Sequence, residues 1–425
     1  MRVRKWVFSC LSLLVLFFST ACSSGATEGD QVTIEFWTMQ LSPTFDEYIK
    51  GVIADYEKQH PNVKVKWVDV PWESMEQKML SAVTANKAPD VANLNPQFAA
   101  KLAELDALVN MDEAVPSEER AKYFEGVWKA NSFDGKTFGI PWYLSTQVTM
   151  YNREMFKEAG LDPDKPPTNF EELAEVAEKI KEKTGKYAFM PAMDESHFME
   201  YLVQMGVDLT TDDGKKAAFN TPAGKKAFQY WVDLYKRGLI PKNSITEGHG
   251  KAIDMYQAGE IAILPSGPQF LKIVKENAPK IAEVTASGPQ ITGDSGKMNV
   301  AVMNLVVPKQ SKHQKEAVDF ALFITNAENQ LKFCKLTAIL PSVKKAAEDP
   351  YFTKLPDNAE PIDEARIISA SQLPKSEVLV PPLKGYDDLK KAMNEAMQSA
   401  LLGKKSVDKA LADAEKKWNE ILAKP

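Results

Sequence analysis

The sequence predicts an α/β protein of more than one domain, and three observations carry that expectation. At 425 residues the chain exceeds what a single hydrophobic core usually serves. Its hydrophobic content of 44% and charged content of 26% are those of an ordinary globular protein. The stretch from Gln31 onward then switches between the two-residue period of strands and the longer period of helices. A strand, a helix and a strand in that order imply parallel strands with a helix on one face.

Val32, Ile34 and Phe36 alternate with Thr33 and Glu35, which reads as a strand. Phe45, Ile49, Val52 and Tyr56 follow at helical spacing up to Pro61, and Val63, Val65 and Trp67 alternate again. Met75, Met79 and Val83 mark a second helix, and Val91 to Leu94 a short third strand after Ala88-Pro89-Asp90. Helical segments are expected around Leu102 to Val109 and Ser117 to Ala130, then a turn at Phe133-Asp134-Gly135-Lys136. Thr168 is expected to cap the helix carrying Phe170, Leu173, Val176 and Ile180, with Glu171 completing a capping box. Thr221-Pro222 opens a helix with Phe228, Trp231 and Tyr235, stopped by Gly238. Ile261 to Leu264 and Val300 to Val307 read as strands, and the last third reads as helical.

One stretch links the halves. Gly139-Ile140-Pro141-Trp142-Tyr143-Leu144-Ser145-Thr146 is punctuated by Gly and Pro, and Pro blocks helix immediately before it. It is expected to be an extended segment presenting Trp142 and Tyr143 at a cleft, the alternative being that both rings are core.

The N-terminus has a basic start (Arg2, Arg4, Lys5), an apolar run from Trp6 to Phe18 and the small residues Ser19-Thr20-Ala21 before Cys22. This resembles a bacterial lipoprotein signal with Cys22 lipidated, although Ser19 stands where such signals usually carry Leu. The alternative is a plain secretory signal cut near Ala21. Ser23 to Asp30 is polar, as a tether would be. With Cys10 lost in the leader and Cys22 lipidated, Cys334 has no partner, so no intramolecular disulfide is expected.

Tests for chemistry return little. The net charge of -6 argues against nucleic acid, which requires a basic face. His197-Phe-Met-Glu200 lacks the spacing of a zinc-protease helix, and there is no nucleophile elbow or phosphate loop. Asp208 to Gly214 is read as a polar turn rather than a calcium loop. No cofactor and no metal are expected. What the chain does carry is aromatics beside neutral amides at segment ends: Trp37 with Gln40, Trp72 after Pro71, Asn95 and Gln97 after the third strand, then Trp142 and Tyr143. Ligands of open α/β sheets bind beyond the strands' carboxyl ends. Flat rings with Asn and Gln suit a sugar, whose C–H face packs on the ring while the amides meet its hydroxyls. Trp67, Trp128, Trp231 and Trp418 read as core.

Ile34-Glu-Phe-Trp37-Thr, Tyr56-Glu-Lys-x-His-Pro61-Asn-Val-Lys-Val, Ala88-Pro89-Asp90-Val91, Gly139-Ile-Pro-Trp142, Tyr151-Asn152-Arg153-Glu-Met-Phe156, Ala218-Phe-Asn220-Thr-Pro222 and Ala338-Ile-Leu-Pro341-Ser occur in an order and spacing that is specific. On these motifs the chain resembles the extracellular solute-binding proteins of ABC sugar importers, the maltose-binding-like family, from about Val32 to Ile421. The resemblance implies a two-lobed periplasmic-binding-protein-like α/β fold with a multi-crossing hinge and an interlobe cleft. It divides the chain into a signal peptide (1–21), a lipid-anchored tether (22–30), a first lobe (31–142, with about 305–355 returning) and a second lobe (143–304, with about 356–425 packing back). It implies a monomeric, exported, membrane-anchored bacterial receptor, not an enzyme, with a carbohydrate ligand and the permease subunits as partners.

Carried over residue by residue, the cleft would be lined by Trp37, Gln40, Trp72, Asn95, Gln97, Trp142, Tyr143 and Ser145, with Gln269 and Asn304 from the second half. Here Gly267-Pro268 is followed by Gln269, and Met303 precedes Asn304, so two positions lack the tryptophan that the family carries there. These residues favour a neutral ligand. A charged solute on the same scaffold (a polyamine, a glycerol phosphate or an acidic oligosaccharide) is the nearer alternative, with Glu73 the closest charge. An exported glycoside hydrolase is the other.

Overall fold

The computed structural model of the protein describes residues 31–424, apart from 194–196, 294 and the side chain of Glu73. The expected leader, tether and Cys22 thus lie outside the described residues.

In chain order the first strands are β1 (Val32–Met39), β2 (Val63–Val70), β3 (Val91–Leu94), β4 (Ser132–Phe133), β5 (Lys136–Thr137) and β6 (Ile140–Thr146). They are followed by β7 (Val148–Asn152), β8 (Ile263–Ser266), β9 (Thr285–Gly288), β10 (Met298–Val306), β11 (Leu340–Pro341) and β12 (Ser376–Glu377). β1 pairs in parallel with β2 and β3, as the strand–helix–strand pattern requires. β10 then runs antiparallel to both β3 and β6, and β11 antiparallel to β6, so the large sheet is mixed.

Both faces of this sheet are covered. Ile34 and Phe36 pack in one core with α1 (Asp46–Gln59) and the Gln314–Ile324 helix. Trp37 and Met39 pack in another with α2 (Trp72–Thr84) and α3 (Pro96–Glu104). Burial on both sides explains why β1 extends beyond its alternating start, since parallel strands covered on both faces need no polar side. α3 begins earlier than expected because Asn95 caps it and Pro96 stands at its first position. The expected helix from Ser117 to Ala130 is two short pieces, Ser117–Arg120 and Glu125–Lys129. Asp134 and Gly135 both take positive φ (50° and 72°), which gives the two-residue turn that joins β4 to β5.

A second core forms around the antiparallel order β8-β7-β9. The Phe170–Thr184 and Pro222–Lys236 helices pack with the C-terminal Tyr386–Leu401 and Val407–Leu422 helices around Phe156, Phe228, Trp231 and Trp418. The cap of the Phe170–Thr184 helix is shifted by one residue from the expected box. Asn169 accepts from the Glu172 amide, and the Glu172 carboxylate reaches back to the Thr168 amide and hydroxyl. Asn competes well for a cap position, and starting the helix one residue later moves the capped amide from Glu171 to Glu172. Asp213 accepts from Thr211 and from the Lys215 amide, so the Asp-rich segment is a self-bonded turn. Cys334 is buried in the first lobe, where burial pushes the thiol pKa up and leaves it inert.

The chain passes between the two halves at three places: at Gln147, between β9 and β10, and in the stretch 352–379, where the Pro361–Gln372 helix sets Ala365 in a second-lobe core before Leu373 returns to the first. The expected division after Trp142 moves to Gln147, because Tyr143 to Thr146 still pair with β10 in the first sheet. The return begins at β10 rather than near 305, for the same reason. Buried amides stitch the crossings together. Gln372 accepts from the Gln290 amide at 2.6 Å and donates to the Gln147 carbonyl at 2.9 Å. Gln290 accepts from the Asn299 amide at 2.9 Å, and Asn299 from the Leu379 amide at 3.2 Å. Neutral amides are suited to this place, since each satisfies backbone groups that no strand ladder serves.

Candidate functional site

Because β1, β2 and β3 are parallel, their carboxyl ends emerge on one edge. β6 shares their direction, being antiparallel to a strand that is antiparallel to β3, so its carboxyl end leads to the second lobe from that same edge. The site is therefore a seam between the lobes. Gln40 follows β1 with a positive φ of 51° and accepts from the Trp72 amide at 3.4 Å. Trp72 follows β2 and opens α2, and it is 49% exposed, unusual for so large a ring. Asn95 follows β3; its carbonyl accepts from the Phe98 amide at 2.8 Å as the cap of α3. Gln97 donates to the Val380 carbonyl of the second lobe at 3.0 Å.

The turn carrying Gln40 is held by one carboxylate. Asp69 accepts from the Thr38 hydroxyl (2.6 Å) and from the Leu41 and Ser42 amides (3.0 and 3.1 Å). Asp69→Ala is expected to cost about 1–3 kcal/mol in chemical denaturation, because two backbone amides lose their acceptor.

The floor of the seam is made by β6 and β10. Tyr143 and Met303 face each other across the pair, as do Ser145 and Ala301. Burial around the Tyr143 hydroxyl pushes its pKa up, so it remains a neutral donor. The Ser145 hydroxyl lies 3.2 Å from Gln269 Oε1, which places Gln269 of the second lobe directly over the floor. A Cβ at Gly267 would meet both of these side chains, so glycine is what allows them to approach. Beside them, His249 Nε2 lies 2.8 Å from the Ser266 hydroxyl, and its ring stacks 5.4 Å from that of His197.

Next to Asn95 and Gln97 is a cavity of about 370 Å³ closed on the far side by Tyr386 and Asp387 of the second lobe. Its charges are largely satisfied by each other. Lys101 bonds to Glu76 and, at 2.7 Å, to Asp387, while Glu104 accepts from the Gly385 amide at 3.1 Å. Lys101 is partly buried, which works against its charge, but these two carboxylates outweigh that and raise its pKa. Lys390 lies over the Tyr386 ring at 5.6 Å. A larger groove, about 1190 Å³, opens by His60, Asn62 and Asp319 at the amino ends of the strands, away from the expected residues.

Three expected residues do not reach the seam. Trp142 is fully buried, stacked at 5.2 Å on Phe333 in the first core, because it shares the face of β6 with Ile140 and Leu144. Trp37 is 5% exposed under α2, its indole N–H donating to Glu35 at 2.6 Å with Lys78 over its ring. Asn304 is buried against Gly139, where its register opposite Leu94 and Pro141 sets it inside the sheet. Glu73 lies outside the described side chains. Sequence reasoning missed His249, Lys101 and Tyr386. Only Tyr386 carried a local sign, an aromatic directly after Gly385 at a helix start.

Among the described residues, no group of three His, Cys, Asp or Glu could hold a metal ion. No described helix is long and apolar enough to cross a membrane.

Residues 42–331, more than half of the chain, match the sequence profile of the bacterial extracellular solute-binding proteins. A candidate oligosaccharide periplasmic-binding protein from Synechococcus sp. MITs9220 is 40% identical, with a TM-score of 0.85 over 92% of this chain and 99% of that one. The galactooligosaccharide-binding protein of Bacillus subtilis (strain 168) is 23% identical over 83% of this chain and 85% of its own. The cyclic alpha-maltosyl-1,6-maltose binding protein of Arthrobacter globiformis shares the fold, with a TM-score of 0.79 at 24% identity over 93% of this chain and 99% of that one. Its two lobes, three crossings and sheet-edge seam agree with these likenesses, and the chain belongs to the bacterial extracellular solute-binding protein family.

Proposed function

We propose that the protein is the receptor subunit of an ABC importer, which captures a neutral sugar between its lobes and presents it to the permease. The observation that carries this reading is Trp72, a half-exposed ring beside Gln40, with Asn95 and Gln97 following another strand that ends on the same sheet edge. A ring of that exposure offers a face for the C–H surface of a sugar, and neutral amides such as Gln40 beside it suit its hydroxyls. The oligosaccharide named for the Bacillus relative and the Synechococcus neighbour supports the same ligand class. In the adjoining cavity Lys101 is already matched by Glu76 and Asp387, and Glu104 by a backbone amide, so these groups are not waiting for a charged ligand.

In this reading the lobes rotate about the three crossings, and the ligand selects the apposed arrangement that the permease recognises. The protein performs no reaction on the sugar. The leader directs export, and Cys22 carries the lipid that holds a monomeric receptor on the outer face of the cell membrane. The division into lobes is the one drawn above, with Gln147 as the first crossing.

The test is thermal unfolding of the chain from Glu28 onward against neutral mono- and oligosaccharides, polyamines and glycerol phosphates. A ligand in hundred-fold excess over its Kd adds about 2.7 kcal/mol to the folded state, which raises the midpoint measurably. A rise with one neutral sugar series is expected. A rise with a charged solute alone would reject the neutral-sugar reading, and slow hydrolysis of a sugar would point to an enzyme.

A further inference from the structure

The lobes touch beside the seam through a charged contact that no ligand role requires. Lys101 and Glu76 both belong to the first lobe, on α3 and α2, while Asp387 opens the Tyr386–Leu401 helix of the second. One turn along α3, Glu104 accepts from the Gly385 amide. Across the seam, Lys272 of the Phe270–Asn277 helix reaches the Leu336 carbonyl of the Ala327–Thr337 helix at 3.4 Å. The lobes are thus apposed on both sides of the crossing strands, and the Lys101 side carries the ion pair.

From this geometry we infer that Lys101 is an interlobe clasp, which favours the apposed lobes through Asp387 and so makes the affinity for a neutral ligand depend on salt. Glu76 stays beside Lys101 whether the lobes are together or apart, so it orients the ammonium group without biasing the equilibrium. Asp387 moves with the second lobe, and its bond is lost on opening. It also sits at the N-terminus of its helix, where a carboxylate is already held by the helix dipole and needs little reordering to pair. All three side chains are about half exposed, so the pair is modest and screened by salt. The effect on ligand affinity follows because a ligand binding only the apposed form gains from any contact that populates it.

The inference rests on the sugar reading only for its affinity readout. The experiment places spin labels at Glu118→Cys in the first lobe and Lys179→Cys in the second, both exposed, and measures their distance in the full chain without ligand. Lys101→Met and Asp387→Asn are expected to shift the distribution toward longer distances, and Lys101→Arg to leave it in place. Sugar affinity should fall by about two- to five-fold in the first two variants, the size of an exposed ion pair, and the difference should vanish at high salt. An unchanged distance distribution in Lys101→Met overturns the clasp, whatever the affinity does, since lost affinity alone would make Lys101 a ligand contact. A shifted distribution with no sugar bound by any variant leaves the clasp standing and rejects the sugar reading.

Discussion

Trp142→Ala is expected to destabilise the protein by about 3–5 kcal/mol in chemical denaturation, the usual cost of emptying a large aromatic site in a core. The ring is fully buried, stacked on Phe333 at 5.2 Å and tilted against Phe36 at 6.2 Å, so nothing nearby can fill the space without moving the sheet. Its indole N–H has no hydrogen-bond partner among the described residues. Trp142→Phe removes that buried unpaired donor and keeps one aromatic ring but leaves a smaller cavity, and should cost less than the alanine variant. Sugar affinity of the folded fraction should be nearly unchanged in both variants. A stability loss below about 1 kcal/mol together with a large loss of affinity would return Trp142 to the cleft.

Trp72→Ala should behave in the opposite way. The ring is 49% exposed, so its removal should change stability by no more than about 0.5 kcal/mol, as for most surface substitutions. Loss of one stacking face, about 1–2 kcal/mol, corresponds to a roughly ten-fold weaker sugar complex in calorimetric titration. Full affinity in Trp72→Ala would remove the ligand from the edge of β2. Together the two tryptophans separate a packing role from a binding role by measurement, although the sequence presents them alike.

That ambiguity shows what was legible and what was not. Strand and helix order could be read from local periodicity, and β3 falls on the expected Val91 to Leu94. Face assignment could not for the inner strands, because where both sides of the sheet are covered, as along β3 and the end of β1, apolar residues point both ways. Trp37 and Trp142 each follow a Gly- or strand-type signal, yet both point into cores set by partners far along the chain, α2 for one and Phe333 for the other. At Met303 and Asn304 the register shifts, so alternation stops predicting which side faces the seam. That Gln40, Trp72, Asn95 and Gln97 lie on one sheet edge was legible because they follow strands directly, where topology alone fixes the edge. Asn95 has a use that only the structure reveals: its side-chain carbonyl caps α3. Lys101 and Asp387 meet across segments almost three hundred residues apart, and no local pattern records such a pairing.

The central claim, a neutral sugar held between lobes that close on it, is tested most directly by small-angle X-ray scattering. The chain from Glu28 onward would be titrated with the sugar that raises its unfolding midpoint most, and in parallel with a polyamine and a glycerol phosphate. The account predicts that the radius of gyration falls with the sugar, saturating with its binding isotherm, and stays constant with the charged solutes. A sugar that binds at saturation without compaction, or compaction driven by a charged solute instead, would contradict it.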